Sequence, residues 1–232
     1  MTNPSLLAAS GFATGVLILI AYVAEFFSVP PPSLSQPNFV ASQTYLARLA
    51  LRSFAWGLFA VAAIPFFAVL GRLFRSRSSE GALAATLLSA VGVTLYVLRA
   101  ILQDAGVAAA GTVIAPAPTE AAYQANLWFD AANPLLPLGG AIWGLGFFLF
   151  GVLAWNSGIL SNRLAVVAFV GGVAGWAIFP VLNSFGDFFG YAFTEILVPF
   201  STAIWGFACA GMFLRQRRTK TSGEPRPVPG GG

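Results

Sequence analysis

Six apolar runs, each near the length a helix needs to cross a bilayer, constrain this chain more than any motif in it. The hydrocarbon core of a membrane is about 30 Å thick, so about 20 apolar residues in a helix make one crossing. Runs of that kind occupy Leu6–Ser28, Tyr45–Leu70, Ala82–Leu102, Leu138–Ala154, Leu164–Leu182 and Tyr191–Leu214. Of the 232 residues, 57% are hydrophobic and only 9% are charged, whereas soluble domains carry about 25% charged residues. Inside lipid the backbone must satisfy its own hydrogen bonds, so each run is expected to be helical. The expectation is an all-α, polytopic membrane protein. A single bundle of six transmembrane helices spans residues 1–214, and a flexible, basic, Pro/Gly-rich tail spans 215–232.

Charge sets the direction of those crossings. The first run lacks the positive region and the small-residue cleavage pattern of a signal peptide, so it is read as a span. With six spans in place, Arg72, Arg75, Arg77, Arg163, Arg215, Arg217, Arg218, Lys220 and Arg226 fall on one side, nine of the twelve basic residues. Basic residues flanking spans stay on the cytoplasmic side, so both termini are expected there. The location expected is the cell inner membrane, with multiple passes.

Residues that are missing narrow the chemistry. The chain has no histidine, which removes His-ligated haem, His-based zinc sites and Ser-His catalysis. Its one cysteine, Cys209, lies in an apolar run and has no intrachain disulfide partner. The stretch Asn183–Asp187 carries serine where the Gly-x-Gly-Asp signature of intramembrane aspartyl proteases begins, and no second aspartate sits in mid-span. The glycines are spaced for helix packing and form no phosphate loop. No catalytic residue, metal or cofactor is expected. The net charge of +4 is read as membrane orientation, so no nucleic acid is expected as a partner.

The remaining ionisable residues form the candidate site. Arg99 sits inside the third run, where a charge costs about 2.5–3.5 kcal/mol on insertion scales unless it faces a partner or a wet cavity. Gln103 shares its helix face, and Asp104 points elsewhere. Arg48 and Arg52 stand one turn apart at the start of the second run, and Glu25 ends the first. Asp130 and Asn133 precede the fourth run, Asn183 and Asp187 follow the fifth, and Glu195 opens the sixth. All of these lie toward the non-cytoplasmic side, where six acids face three arginines. Three readings of this layer compete: a salt-bridge network that locks helix ends, an outward cavity with Arg99, Arg48 and Arg52 as its cationic floor, or a proton relay through the carboxylates. Trp56, Trp143, Trp176 and Trp205 fall within spans and are expected to pack between helices.

The stretch Gly146-Phe147-Phe148-Leu149-Phe150-Gly151-Val152-Leu153-Ala154-Trp155-Asn156-Ser157-Gly158-Ile159-Leu160, with Leu164 and the Gly171-Gly172 pair after it, resembles the bacterial six-span proteins catalogued as domain of unknown function 4386. The shared cues are a glycine-punctuated fourth span, a Ser-Gly turn and a glycine-containing fifth span. The resemblance implies an integral membrane protein of bacteria and brings no activity with it.

Two functions follow as expectations. One is the binding or movement of a small amphipathic molecule through the outward polar cavity, with Arg99 as anion anchor. The other is a non-catalytic structural or regulatory subunit of a larger membrane complex. In the second case a membrane protein partner docks through the small-residue faces Gly11/Gly15 and Gly140/Gly144, while lipids surround the bundle in both.

Overall fold

The computed structural model describes residues 4–28, 43–111, 123, 127–128, 130–178, 181 and 188–221. Among them there are helices and turns and no strand. The helices are α1 (Pro4–Ser28), α2 (Gln43–Phe74), α3 (Ser79–Gly111), α4 (Leu135–Ser157), α5 (Asn162–Val173) and α6 (Phe188–Thr221). A π-helical turn, Ala174–Ile178, continues α5. Four stretches are long and apolar enough to cross a membrane: Pro4–Phe27, Ala47–Phe74, Ser79–Gly106 and Asp130–Ser157. The apolar helical stretches Asn162–Ile178 and Ile196–Met212 are shorter.

Each helix packs against the one before it, and α6 returns to pack against α1, so the six close a ring. Neighbours run antiparallel, as glycine contacts show. A Cβ on Gly139 would lie 2.7 Å from the Tyr96 nitrogen, and one on Gly146 would lie 2.5 Å from that of Ser89, so α4 climbs as α3 descends. Gly144 meets Gly172 and Gly175 while Gly151 meets Ala168, which sets α5 antiparallel to α4. A Cβ on Gly206 would stand 2.4 Å from the Gly11 carbonyl oxygen, so glycine at both positions lets α1 and α6 approach backbone to backbone. The small faces Gly11/Gly15 and Gly140/Gly144 are therefore occupied by helices of the same chain.

Several boundaries differ from the apolar runs. α3 continues to Gly111, beyond the apolar run that ends at Leu102, because alanine is the strongest helix former. α6 continues to Thr221, so the tail expected from Arg215 begins as helix. Arg and Lys favour helix and complement the negative C-terminal end of its dipole. α4 begins at Leu135 behind Pro134, and Pro137 sits in its first turn, where a missing N–H costs nothing. Gly158 ends α4 in the left-handed region at φ 64°, its N–H donating to the Ala154 carbonyl at 3.3 Å. The expected loop from Pro30 to Ser42 and the tail from Ser222 lie outside the described residues.

Aromatic side chains fill the middle of the ring. Trp56, Trp143 and Trp205 are fully buried, with Phe59, Phe66, Phe67, Phe74, Phe147 and Phe150. Ring contacts link α2 to α4 (Phe59–Trp143, 5.7 Å) and α4 to α6 (Phe147–Trp205, 5.3 Å). Trp176 differs from the other three expected core tryptophans and is exposed. The outer surface is also apolar: Leu51, Phe54, Leu58 and Val61 on α2, Leu83, Leu87 and Val91 on α3, and Ile196, Phe200 and Ile204 on α6 face outward at helical spacing. Large apolar stripes on the outside, with Arg52, Gln103 and Asp104 buried, invert the order of a soluble bundle and fit a lipid environment.

Candidate functional site

The alternating ring brings the end of α1, the start of α2, the end of α3 and the approach to α4 to one end of the molecule. Arg52, in the third turn of α2, is the centre of what gathers there. It is 7% exposed, as is Asp104 on α3. Its Nε donates to Asp104 Oδ2 at 3.3 Å and its Nη2 donates to Asp104 Oδ1, a bidentate grip on one carboxylate. Its Nη1 donates to Glu25 Oε1 on α1 at 3.2 Å. Two further side chains of α2 complete the set. Ser53 Oγ donates to Asp104 Oδ2, and Trp56 Nε1 donates to Glu25 Oε2 at 2.8 Å. Both oxygens of each carboxylate are thus engaged, and one guanidinium ties three helices together.

The chemistry explains why such an arrangement persists in an apolar bundle. A buried charge with one partner removed costs about 3–5 kcal/mol, whereas a charge with all its hydrogen bonds satisfied is tolerated. The planar fork of arginine can serve two carboxylates at once, which the point charge of lysine does less well. In place of a cationic floor around Arg52, the geometry gives a triad of one cation and two carboxylates. Arg52, expected in the anion-binding set, here clamps α1 and α3 to α2.

The other expected residues divide. Gln103 lies next to Asp104 but about 100° around the helix, so it faces α4 where Asp104 faces α2. Its Nε2 donates to Asn133 Oδ1 at 3.3 Å, which joins α3 to the approach of α4. Arg99 is half-buried one turn before Gln103 on that same face. Arg48 and Asp130 are exposed. Glu195 lies in the helical stretch of α6, and Asn183 and Asp187 lie outside the described residues. The structure therefore brings Glu25, Arg52 and Asp104 together, and separately Gln103 with Asn133.

Ser53 and Trp56 were missing from the set expected from sequence. Trp56 stands one turn after Arg52 on the same face, so an indole N–H beside a buried arginine was the available signal. Below the triad, Trp56 packs against Tyr22 at 5.3 Å and Tyr96 at 5.2 Å, which walls the charged end from the aromatic core. Among the described residues no group of three or more Cys, Asp or Glu is placed to hold a metal ion. Comparison with protein-family models, with curated proteins and with solved structures returns no match.

Proposed function

We propose that the chain is a non-catalytic integral membrane protein of the bacterial inner membrane, akin to the six-span family whose cues it carries. On this reading all six helices cross the bilayer and both termini are cytoplasmic. A closed ring of six antiparallel neighbours supports the count, because each helix must run between the same two ends as its partners. The basic residues Arg72 in the last turn of α2, Arg75 and Arg77 just after it and Arg163 at the start of α5 share one end, and Glu25, Asp104 and Asp130 share the other. Positive-inside sorting turns that split into an orientation.

The polar end then receives the head of a small amphipathic anion. The observation that carries this reading is the gathering of charged and amide groups from α1, α2, α3 and the approach to α4 at one end of an otherwise apolar bundle. Arg99 is the anchor, on the α4-facing side of α3, and the Arg52 triad holds α3 against α1 and α2 behind it. A fluorescent fatty acid serves as an amphipathic anion for the test. Saturable binding by the parent and about tenfold weaker binding by Arg99→Ala are expected, the effect of losing one partly desolvated charge contact. Equal binding by a folded Arg99→Ala variant would remove the anchor.

A second reading, a structural or regulatory subunit of a larger complex, is favoured by the closure of the triad, whose carboxylates are already engaged by Arg52, Ser53 and Trp56. Migration as a lone chain after extraction from native membranes in mild detergent would count against it.

A further inference from the structure

The opposite end of the bundle carries a notch at the α2–α3 hairpin. A cavity of about 250 Å³ opens there, lined by Ala68, Arg72, Arg75, Ser79, Ala82 and Leu83 among others. Helix register gives it a polar rim and an apolar wall. Arg72 lies in the last turn of α2, Arg75 in the turn beyond it, and Ser79 opens α3. Ala68 is one turn deeper on α2 and Leu83 one turn deeper on α3. Ala68, Leu83 and both arginines are exposed, so the wall continues onto the lipid-facing side of the helices.

Among the described residues no carboxylate pairs with that rim. Neither Arg72 nor Arg75 forms an ion pair with another described residue. Glu80, on the first turn of α3, does not line the cavity. The inner wall is closed, because Gly71 lets α2 approach α3 so tightly that a Cβ there would lie 2.1 Å from Thr86 Oγ1. An occupant enters from the lipid side, with its charge at the rim and its apolar part along the helices.

We propose that this notch binds an anionic phospholipid, its phosphate held by Arg72 and Arg75 and an acyl chain lying on Ala68 and Leu83. Guanidinium forks suit phosphate oxygens, and basic pockets between membrane helices suit anionic headgroups. The inference shares with the preceding section only the passage of α2 and α3 through the bilayer. Arg99 has no part in it, so the two tests fail separately.

Native mass spectrometry of the full chain, released from vesicles of equal phosphatidylglycerol and phosphatidylcholine, reads the bound lipid. The parent is expected to retain phosphatidylglycerol preferentially, and the Arg72→Gln/Arg75→Gln variant to lose that preference by about tenfold or more. Leu83→Glu keeps both arginines but sets a carboxylate in the apolar wall under the acyl chain, one turn below the phosphate. It is expected to give the same loss, which keeps the test decisive should the double variant fail to fold. Arg163→Gln, basic and at the same end but outside the notch, is expected to leave retention unchanged. Undiminished retention by the Arg72/Arg75 variant, an equal loss in Arg163→Gln, or displacement of the lipid by soluble glycerol phosphate would each overturn the proposal.

Discussion

Arg52 holds Asp104 from the side, with Nε on one carboxylate oxygen and Nη2 on the other, and reaches Glu25 with Nη1 at 3.2 Å. One side chain of α2 thereby sets the spacing of α1 and α3 at the same end of the bundle. Asp104→Ala would leave the guanidinium buried against α3 without its bidentate partner. A loss of about 3–5 kcal/mol in unfolding free energy is expected, read by denaturant titration in detergent micelles. Arg52→Met/Asp104→Leu, which removes both charges, is expected to lose less than either single change.

Trp56 tests the second half of the clamp. Trp56→Phe keeps a ring against Tyr22 and Tyr96 but deletes the donor to Glu25 Oε2. A loss of about 1.5–3 kcal/mol is expected, the range for a hydrogen bond to a charged group, in the same titration. An equal loss from Trp56→Phe in the parent and in a Glu25→Gln background would contradict the assigned partner.

At the end of the third apolar run the structure joins Asp104 to Arg52, a pairing that the sequence did not single out. Arg99 is the more conspicuous charge in the sequence because it lies deepest in an apolar run. Which of Arg48, Arg52 and Arg99 becomes central depends on the rotation of α2 and α3 about their axes, and apolar runs that are hydrophobic on every face do not report rotation. The 100° step from Gln103 to Asp104 was readable, but which neighbour each faces required the ring order. Four of the six expected spans stand as long apolar helices and were legible because lipid imposes their length. Their ends were not, since alanine after Asp104 and the basic residues after Leu214 prolong helices without adding apolarity. The π turn at Ala174–Ile178 had no sequence signal beyond the glycines around it.

Glycine positions give a prediction with opposite signs. Gly206→Ala would drive a Cβ to 2.4 Å from the Gly11 carbonyl oxygen and is expected to destabilise the bundle by about 1–3 kcal/mol, as overpacking does. A Cβ on Gly57, in the middle of α2, meets nothing within 4 Å. Gly57→Ala is expected to stabilise by about 0.5–1 kcal/mol through helix propensity alone. Thermal unfolding of the two variants side by side checks both signs.

Cys209 is fully buried in α6. A thiol with no access to water does not form the reactive thiolate, so the folded parent is expected to resist maleimide until denatured. Labelling of the native parent at the rate of the denatured chain would place α6 differently.

That silent native thiol allows the most direct test of the whole account, which is that the ring crosses the membrane with its acidic end outside. Single Asp130→Cys and Arg77→Cys variants, both at exposed positions, are treated with a membrane-impermeant maleimide in right-side-out vesicles. Labelling of Asp130→Cys is expected in sealed vesicles, and of Arg77→Cys only after the membrane is opened. Labelling of both variants from the same side, or of Arg77→Cys alone in sealed vesicles, would contradict this orientation.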